Sequence, residues 1–119
     1  MELNEYQKRA MGTCMDSCNN FSYMMLNLVG EVGEFASKVA KHIRKEEMMI
    51  DNNDLIDDIT GDTIQWNEEL KKEAGDILWQ LSGLCDIMAW DLEEVAQMNL
   101  DKLASRKQRN VIDGSGDNR

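Results

Sequence analysis

The chain has 119 residues, 42% hydrophobic and 30% charged, which suits one domain with one core. Its formal net charge of −10 argues against binding nucleic acid through phosphate contacts, and its longest apolar run is far too short to span a membrane. A nucleotide can still bind such a chain when metal ions stand between its phosphates and the acidic side chains.

There is no proline, and only two Phe and two Tyr stand against nine Met. That balance favours long helices packed on one another over sheet. Three cysteines, Cys14, Cys18 and Cys85, form no secretory framework, and the first residues carry Glu2 and Glu5 without an apolar segment. A reducing cytoplasm with free thiols is the simplest setting. Zinc at Cys14 and Cys18 would lack ligands, because His42 is the single histidine.

Residues 3 to about 15 are expected to form a first helix, with Leu3, Tyr6, Ala10 and Cys14 near one stripe. Asp16 to Ser22 is a polar break, and Ser22 is suited to cap the next helix. That second helix is expected from about Tyr23 to Glu47. Met25, Leu28, Val32, Phe35, Val39 and Ile43 recur on it at helical spacing. Gly30 and Gly33 lie inside this helix and cost roughly 1 kcal/mol each against alanine, so a close backbone or a ligand is the expected reason for them. Met48 to Asp62 is expected to be an acidic loop, with a helical turn at Leu55, Ile56 and Ile59. A third helix is expected from Ile64 to Trp90, capped by Asp62 or Thr63, with Leu70, Ala74, Ile77, Leu81, Leu84 and Met88 as its stripe. Asp91, with Glu94 three residues on, suits a capping box opening a fourth helix that carries Val95, Met98, Leu100 and Leu103 and ends near Asn110. Residues 111–119 are a glycine-rich tail without periodicity. The expected architecture is all-α, a single domain built as a four-helix-type bundle.

Two acidic pairs stand out. Glu31 and Glu34 are three apart on the second helix, and Glu73 and Asp76 are three apart on the third. That spacing puts each pair on one helix face, where like charges repel unless a cation lies between them. Both pairs also border an apolar stripe, where an unpaired carboxylate is costly. On antiparallel helices the pairs would meet and form an all-oxygen site for hard Mg²⁺ or Mn²⁺. One such pair alone is more often a solvated face; two on adjacent helices weigh evenly between a site and decoration. A di-iron bundle is excluded, because it needs a Glu-x-x-His on each of two helices.

These residues resemble a family. Leu28-Val29-Gly30-Glu31-Val32-Gly33-Glu34, followed by Lys38, Lys41 and Arg44, resembles the E-x-x-E helix of the MazG-like nucleotide pyrophosphohydrolases. Glu73-Ala74-Gly75-Asp76-Ile77-Leu78-Trp79 resembles its E-x-x-D helix, and Asn99 to Arg106 its N-x-x-K-L-x-x-R segment. Gly114 to Arg119 is similar to the ending of short, phage-type members. The resemblance implies an all-alpha enzyme that cleaves a nucleoside triphosphate to a monophosphate and pyrophosphate. By matching position, Glu31, Glu34, Glu73 and Asp76 would be the catalytic Mg²⁺ ligands, with Mn²⁺ as a substitute. Asn99, Lys102 and Arg106 would contact phosphate or ribose. The resemblance further implies a homodimer or homotetramer with its site near a subunit boundary. The stretch between Glu34 and Glu73 is longer than in many members.

Lys41 and Trp79 are further candidates for substrate contact. Lys41 also suits a solvated place near a helix C-terminus. Trp79, Trp90 and Trp66 suit either base stacking or packing. Two other functions remain open: a non-catalytic acidic interaction protein, or the same scaffold acting on a diphosphate or a non-nucleotide pyrophosphate.

Overall fold

The structure is a computed structural model that describes residues 1–51, 54–57, 59–63 and 67–119. Asp58, Trp66 and the expected start of the third helix at Ile64 lie outside the described residues. Among the described residues the chain forms four α-helices: α1 (Leu3–Met11), α2 (Phe21–Arg44), α3 (Asn67–Ile87) and α4 (Leu92–Gln108). A single 3-10 turn, Asp16–Cys18, links α1 to α2.

The helical expectation holds for these four elements, with one departure. Residues expected as an acidic loop with a helical turn form a β-hairpin, β1 (Met48–Asp51) and β2 (Asp54–Asp57). The strands are antiparallel, with Met48 opposite Asp57 and Ile50 opposite Leu55. Leu55, Ile56 and Ile59 have helix-like spacing, but the Asp57 side chain accepts from the N–H groups of Ile59 (2.8 Å) and Thr60 (2.9 Å). Those donors are then committed to a turn rather than to a helix. Met48 is almost fully buried and ties the hairpin down.

Helix ends also differ from the expected ones. Asn20, not Ser22, caps α2: its side chain accepts from Tyr23 N at 2.9 Å. The first helix stops at Met11 rather than near 15, with Gly12 as its C-cap. The ends of α2, α3 and α4 share one geometry. Glu46, Ala89 and Asn110 take positive φ of 57–58°. Glu47, Trp90 and Val111 then donate back to His42 O, Cys85 O and Arg106 O. These are Schellman endings, which usually place glycine at the left-handed residue. Here no glycine marks them, so the sequence reads α2 and α3 as running three residues too far and α4 about two.

The capping box at Asp91 does not form. Asp91 holds the N-cap position without a side-chain bond. Instead α1 supplies the acceptors: Gln7 Oε1 takes Leu92 N at 3.1 Å, and Asn4 Oδ1 takes Glu93 N at 3.1 Å. Glu93 returns the bond by accepting from Asn4 N at 3.3 Å. Gln7 Nε2 also donates to Trp90 O (2.9 Å) and to Ser82 O (3.4 Å). One amide thus joins α1 to the α3–α4 corner.

The main packing is between α2 and α3. Met24 lies against Gln80 and Gly83, Asn27 meets Gln80, and Lys38 reaches Glu73. Partners that ascend on one helix and descend on the other make the pair antiparallel. α1 packs on α3, while α4 packs mainly on α1 and touches α2 and α3 slightly at most.

The seam is narrow and partly polar. Buried apolar residues are Ala10, Met24, Met48, Cys85 and Leu92, alongside Gln80 and Ser82. Much of the expected stripe is not buried within the chain. Met25, Val32, Ile43, Leu81, Met88, Met98, Leu100 and Leu103 are exposed, Met98 to 65%. Two helices meeting along one seam cover only part of each apolar face. The radius of gyration is 18.1 Å, against about 13–14 Å for a compact chain of this length.

Gly83 is required by the α2–α3 approach, since a Cβ there would run into Met24 Sδ and Cε. Met24 is fully buried, so its flexible end can give way only by repacking against its neighbours. Gly83→Val is therefore expected to destabilise the fold by about 2–3 kcal/mol, measured by urea unfolding. An unchanged midpoint would mean that the helices do not approach as closely as described.

Candidate metal centre and phosphate-binding helix

The antiparallel pairing brings the acidic residues of α2 and α3 together. Carboxylate oxygens of Glu31, Glu73 and Asp76 all lie within 4.8 Å of one another. Glu73 is buried, Glu31 half-buried and Asp76 exposed, so the trio opens to solvent on one side. Glu34 is exposed and stands beside the trio, near enough for its charge to act on Glu31.

Electrostatics follow from this crowding. Burial raises the Glu31 pKa above the usual carboxylate range, and Glu34 and Asp76 add to the shift. Asn27 opposes it by donating to Glu31 Oε1 at 3.2 Å. The same Asn27 nitrogen reaches Gln80 Oε1 at 2.9 Å, and Gln80 Nε2 reaches Met24 O at 3.3 Å. This amide pair fixes one side of Glu31. Lys38 covers the other end of the site: its Nζ lies 2.9 Å from Glu73 Oε1, and that hydrogen bond raises the lysine pKa.

One ammonium against three carboxylates leaves the trio under-compensated. Glu31 Oε2 and Glu73 Oε2 are buried with no hydrogen-bond partner. A buried unpaired carboxylate oxygen is costly, and converging oxygens of this kind are the donor set of a hard divalent cation. The residues therefore fit such an ion, with Glu31, Glu73 and Asp76 as its ligands and Glu34 beside them.

Lys38 was legible as a site residue but is easily passed over for Lys41. It stands seven residues after Glu31, two helical turns on, and so shares its face. Lys41 is exposed on α2. Asn27, four residues before Glu31, had the same signal, and Gln80, four after Asp76, completes the pattern.

No close backbone of another helix accounts for Gly30 or Gly33; the space beside Gly33 is open, as room for a ligand would need. A Cβ at Gly33 or Gly75 would meet nothing within 4 Å, and one at Gly30 would meet only the Asn27 side chain, at 3.1 Å.

The other candidates lie elsewhere. Trp79 donates its indole N–H to Ala10 O (3.1 Å) and Thr13 Oγ1 (3.0 Å), which docks α1 on α3. Asn99, Lys102 and Arg106 lie on α4, whose main packing is against α1 rather than the helices bearing the carboxylates. Asn99 and Lys102 line an open groove of about 540 Å³ with Trp90, Glu94, Val95 and Met98. Arg106 is only 4% exposed. The tail folds back here, and Asp117 Oδ1 lies 3.0 Å from Arg106 Nη2 and 3.3 Å from Lys102 Nζ.

The structure thus holds a carboxylate trio on an antiparallel helix pair and a basic pair on a later helix. Comparison with known proteins assigns the family. Residues 19–111 match the model of the MazG nucleotide pyrophosphohydrolase domain, and the chain belongs to that family. It is also similar to the Gene 37 protein of Mycobacterium phage L5, at 40% identity over 100% of both chains. No solved structure matches. Among the described residues, no helix is long and apolar enough to cross a membrane.

Proposed function

We propose that the protein is a Mg²⁺-dependent nucleoside triphosphate pyrophosphohydrolase, releasing a nucleoside monophosphate and pyrophosphate. The observation that carries this reading is the convergence of Glu31, Glu73 and Asp76 with two buried, unpartnered oxygens. Membership of a pyrophosphohydrolase family supplies the reaction class.

Glu31, Glu73 and Asp76 would hold the ion, which neutralises phosphate charge and lowers the pKa of bound water. Asn27 and Gln80 keep Glu31 oriented. A carboxylate of the cluster accepts the proton of the attacking water. The water oxygen bonds to the α-phosphorus as the α–β bridging bond breaks, and pyrophosphate leaves. Lys102 and Arg106 donate to the departing phosphates, where flexible and forked cations are effective. Mn²⁺ is a suitable substitute for Mg²⁺.

The basic helix and the acidic helices have little contact within one chain. The reading therefore includes a homo-oligomer in which α4 of one protomer completes the carboxylate site of another. The exposed apolar residues of α2, α3 and α4 supply surface for it. A non-catalytic acidic protein is disfavoured, because surface decoration gives no reason for buried carboxylate oxygens to converge.

The test is a panel of NTPs, dNTPs and modified nucleotides with Mg²⁺. Pyrophosphate and monophosphate should appear from at least one. Inactivity across the panel with turnover of a diphosphate would move the activity to that substrate class. Inactivity throughout would sink the enzyme reading.

A further inference from the structure

At the C-terminal tail, a built anion site already holds an anion from the chain itself. Asp117 places one carboxylate oxygen between Lys102 Nζ (3.3 Å) and Arg106 Nη2 (3.0 Å). Arg106 Nη2 also donates to Gly116 O at 3.4 Å, while its Nε is buried without a partner. Arg106 is thus capped by residues 116–117 and cannot meet a substrate while they stay there.

The cap is a folded structure rather than a chance contact. Arg119 donates to three main-chain carbonyls, those of Val111 (3.1 Å), Ile112 (3.2 Å) and Gly116 (2.6 Å). Arg109 donates to the main-chain oxygen of Arg119 at 2.7 Å. Gly116 has φ +80°, which favours glycine, and a Cβ at Gly114 would strike Arg119 Cδ. Two glycines and two arginines therefore shape the loop that presents Asp117.

We propose that residues 114–119 are a displaceable strap, in which Asp117 occupies the phosphate-binding pair Lys102 and Arg106 until a substrate's phosphates replace it. This rests on the assignment of those two cations to phosphate. Asp117 is 83% exposed, so its ion pairs are individually weak and readily exchanged. A polyphosphate brings more charge and more acceptor oxygens to the same donors. Arg106 and then Lys102 depress the Asp117 pKa, so the strap stays charged at neutral pH.

Pyrophosphate binding, read by calorimetry, tests this without turnover. Asp117→Asn should bind pyrophosphate about fivefold more tightly than the unaltered chain, the equivalent of losing two weak competing ion pairs that share one carboxylate. Lys102→Met in the Asp117→Asn background should abolish that gain. In the unaltered protein, pyrophosphate should lower the hydrogen-exchange protection of the Gly114 amide, which donates to Val111 O in the folded tail, and this needs no variant to fold. Equal or weaker binding by Asp117→Asn, or no binding by either protein, overturns the strap. Tighter binding without turnover of any nucleotide keeps the strap and removes the hydrolase. Turnover with unmoved pyrophosphate affinity removes the strap alone.

Discussion

Asp76→Asn should lower kcat about a thousandfold, the loss of roughly 4 kcal/mol of transition-state stabilisation, with helicity and Tm retained. Asp76 is the exposed member of the trio, so the change removes a charge at the mouth without opening a cavity. Removing one of several crowded negative charges also relieves repulsion, so the metal-free protein should not become less stable. Glu31→Gln and Glu73→Gln should be as damaging. Glu34→Gln should cost markedly less, because Glu34 stands beside the trio. Steady-state kinetics at saturating Mg²⁺, with circular dichroism on each variant, read both arms. Near-normal rates in Asp76→Asn would remove the carboxylates from the chemistry.

Mixing two crippled proteins should restore activity. Lys102→Ala is expected to lose about a hundredfold in kcat/KM through the missing phosphate contact. Combined with Asp76→Asn after a brief unfolding and refolding, it should recover about a quarter of normal activity. For a dimer, random pairing would leave half the molecules mixed, and each of those would hold one site with both groups intact. The prediction rests on α4 packing on α1 while the carboxylates lie on α2 and α3. A mixture no more active than the mean of its parts would place the whole site within one chain.

The helices and their acidic pairs were legible because each depends on local spacing. Glu31 with Glu34, and Glu73 with Asp76, share faces whatever the rest of the chain does. What escaped depends on partners far away in sequence. The α4 cap comes from Asn4 and Gln7, more than eighty residues upstream. After the hairpin, Asp57 diverts two N–H groups into a turn, which periodicity does not register. The helix ends use Glu46, Ala89 and Asn110 where glycine is the usual marker. The apolar stripes were readable as stripes, but spacing alone does not say whether a stripe turns toward its own chain or stays exposed. Lys38 was visible at two turns from Glu31, yet nothing local ranks it above Lys41.

The Gln7 amide has a consequence for how this architecture can change. It holds Leu92 N, Trp90 O and Ser82 O together, so the angle at which α4 leaves the body is set by hydrogen-bond direction rather than by side-chain volume. A corner fixed this way does not drift when nearby apolar residues are swapped for others of different size. The exposed face of α4 is thereby free to diversify, in groove shape and in whatever it meets, while the basic residues it carries keep the same aim.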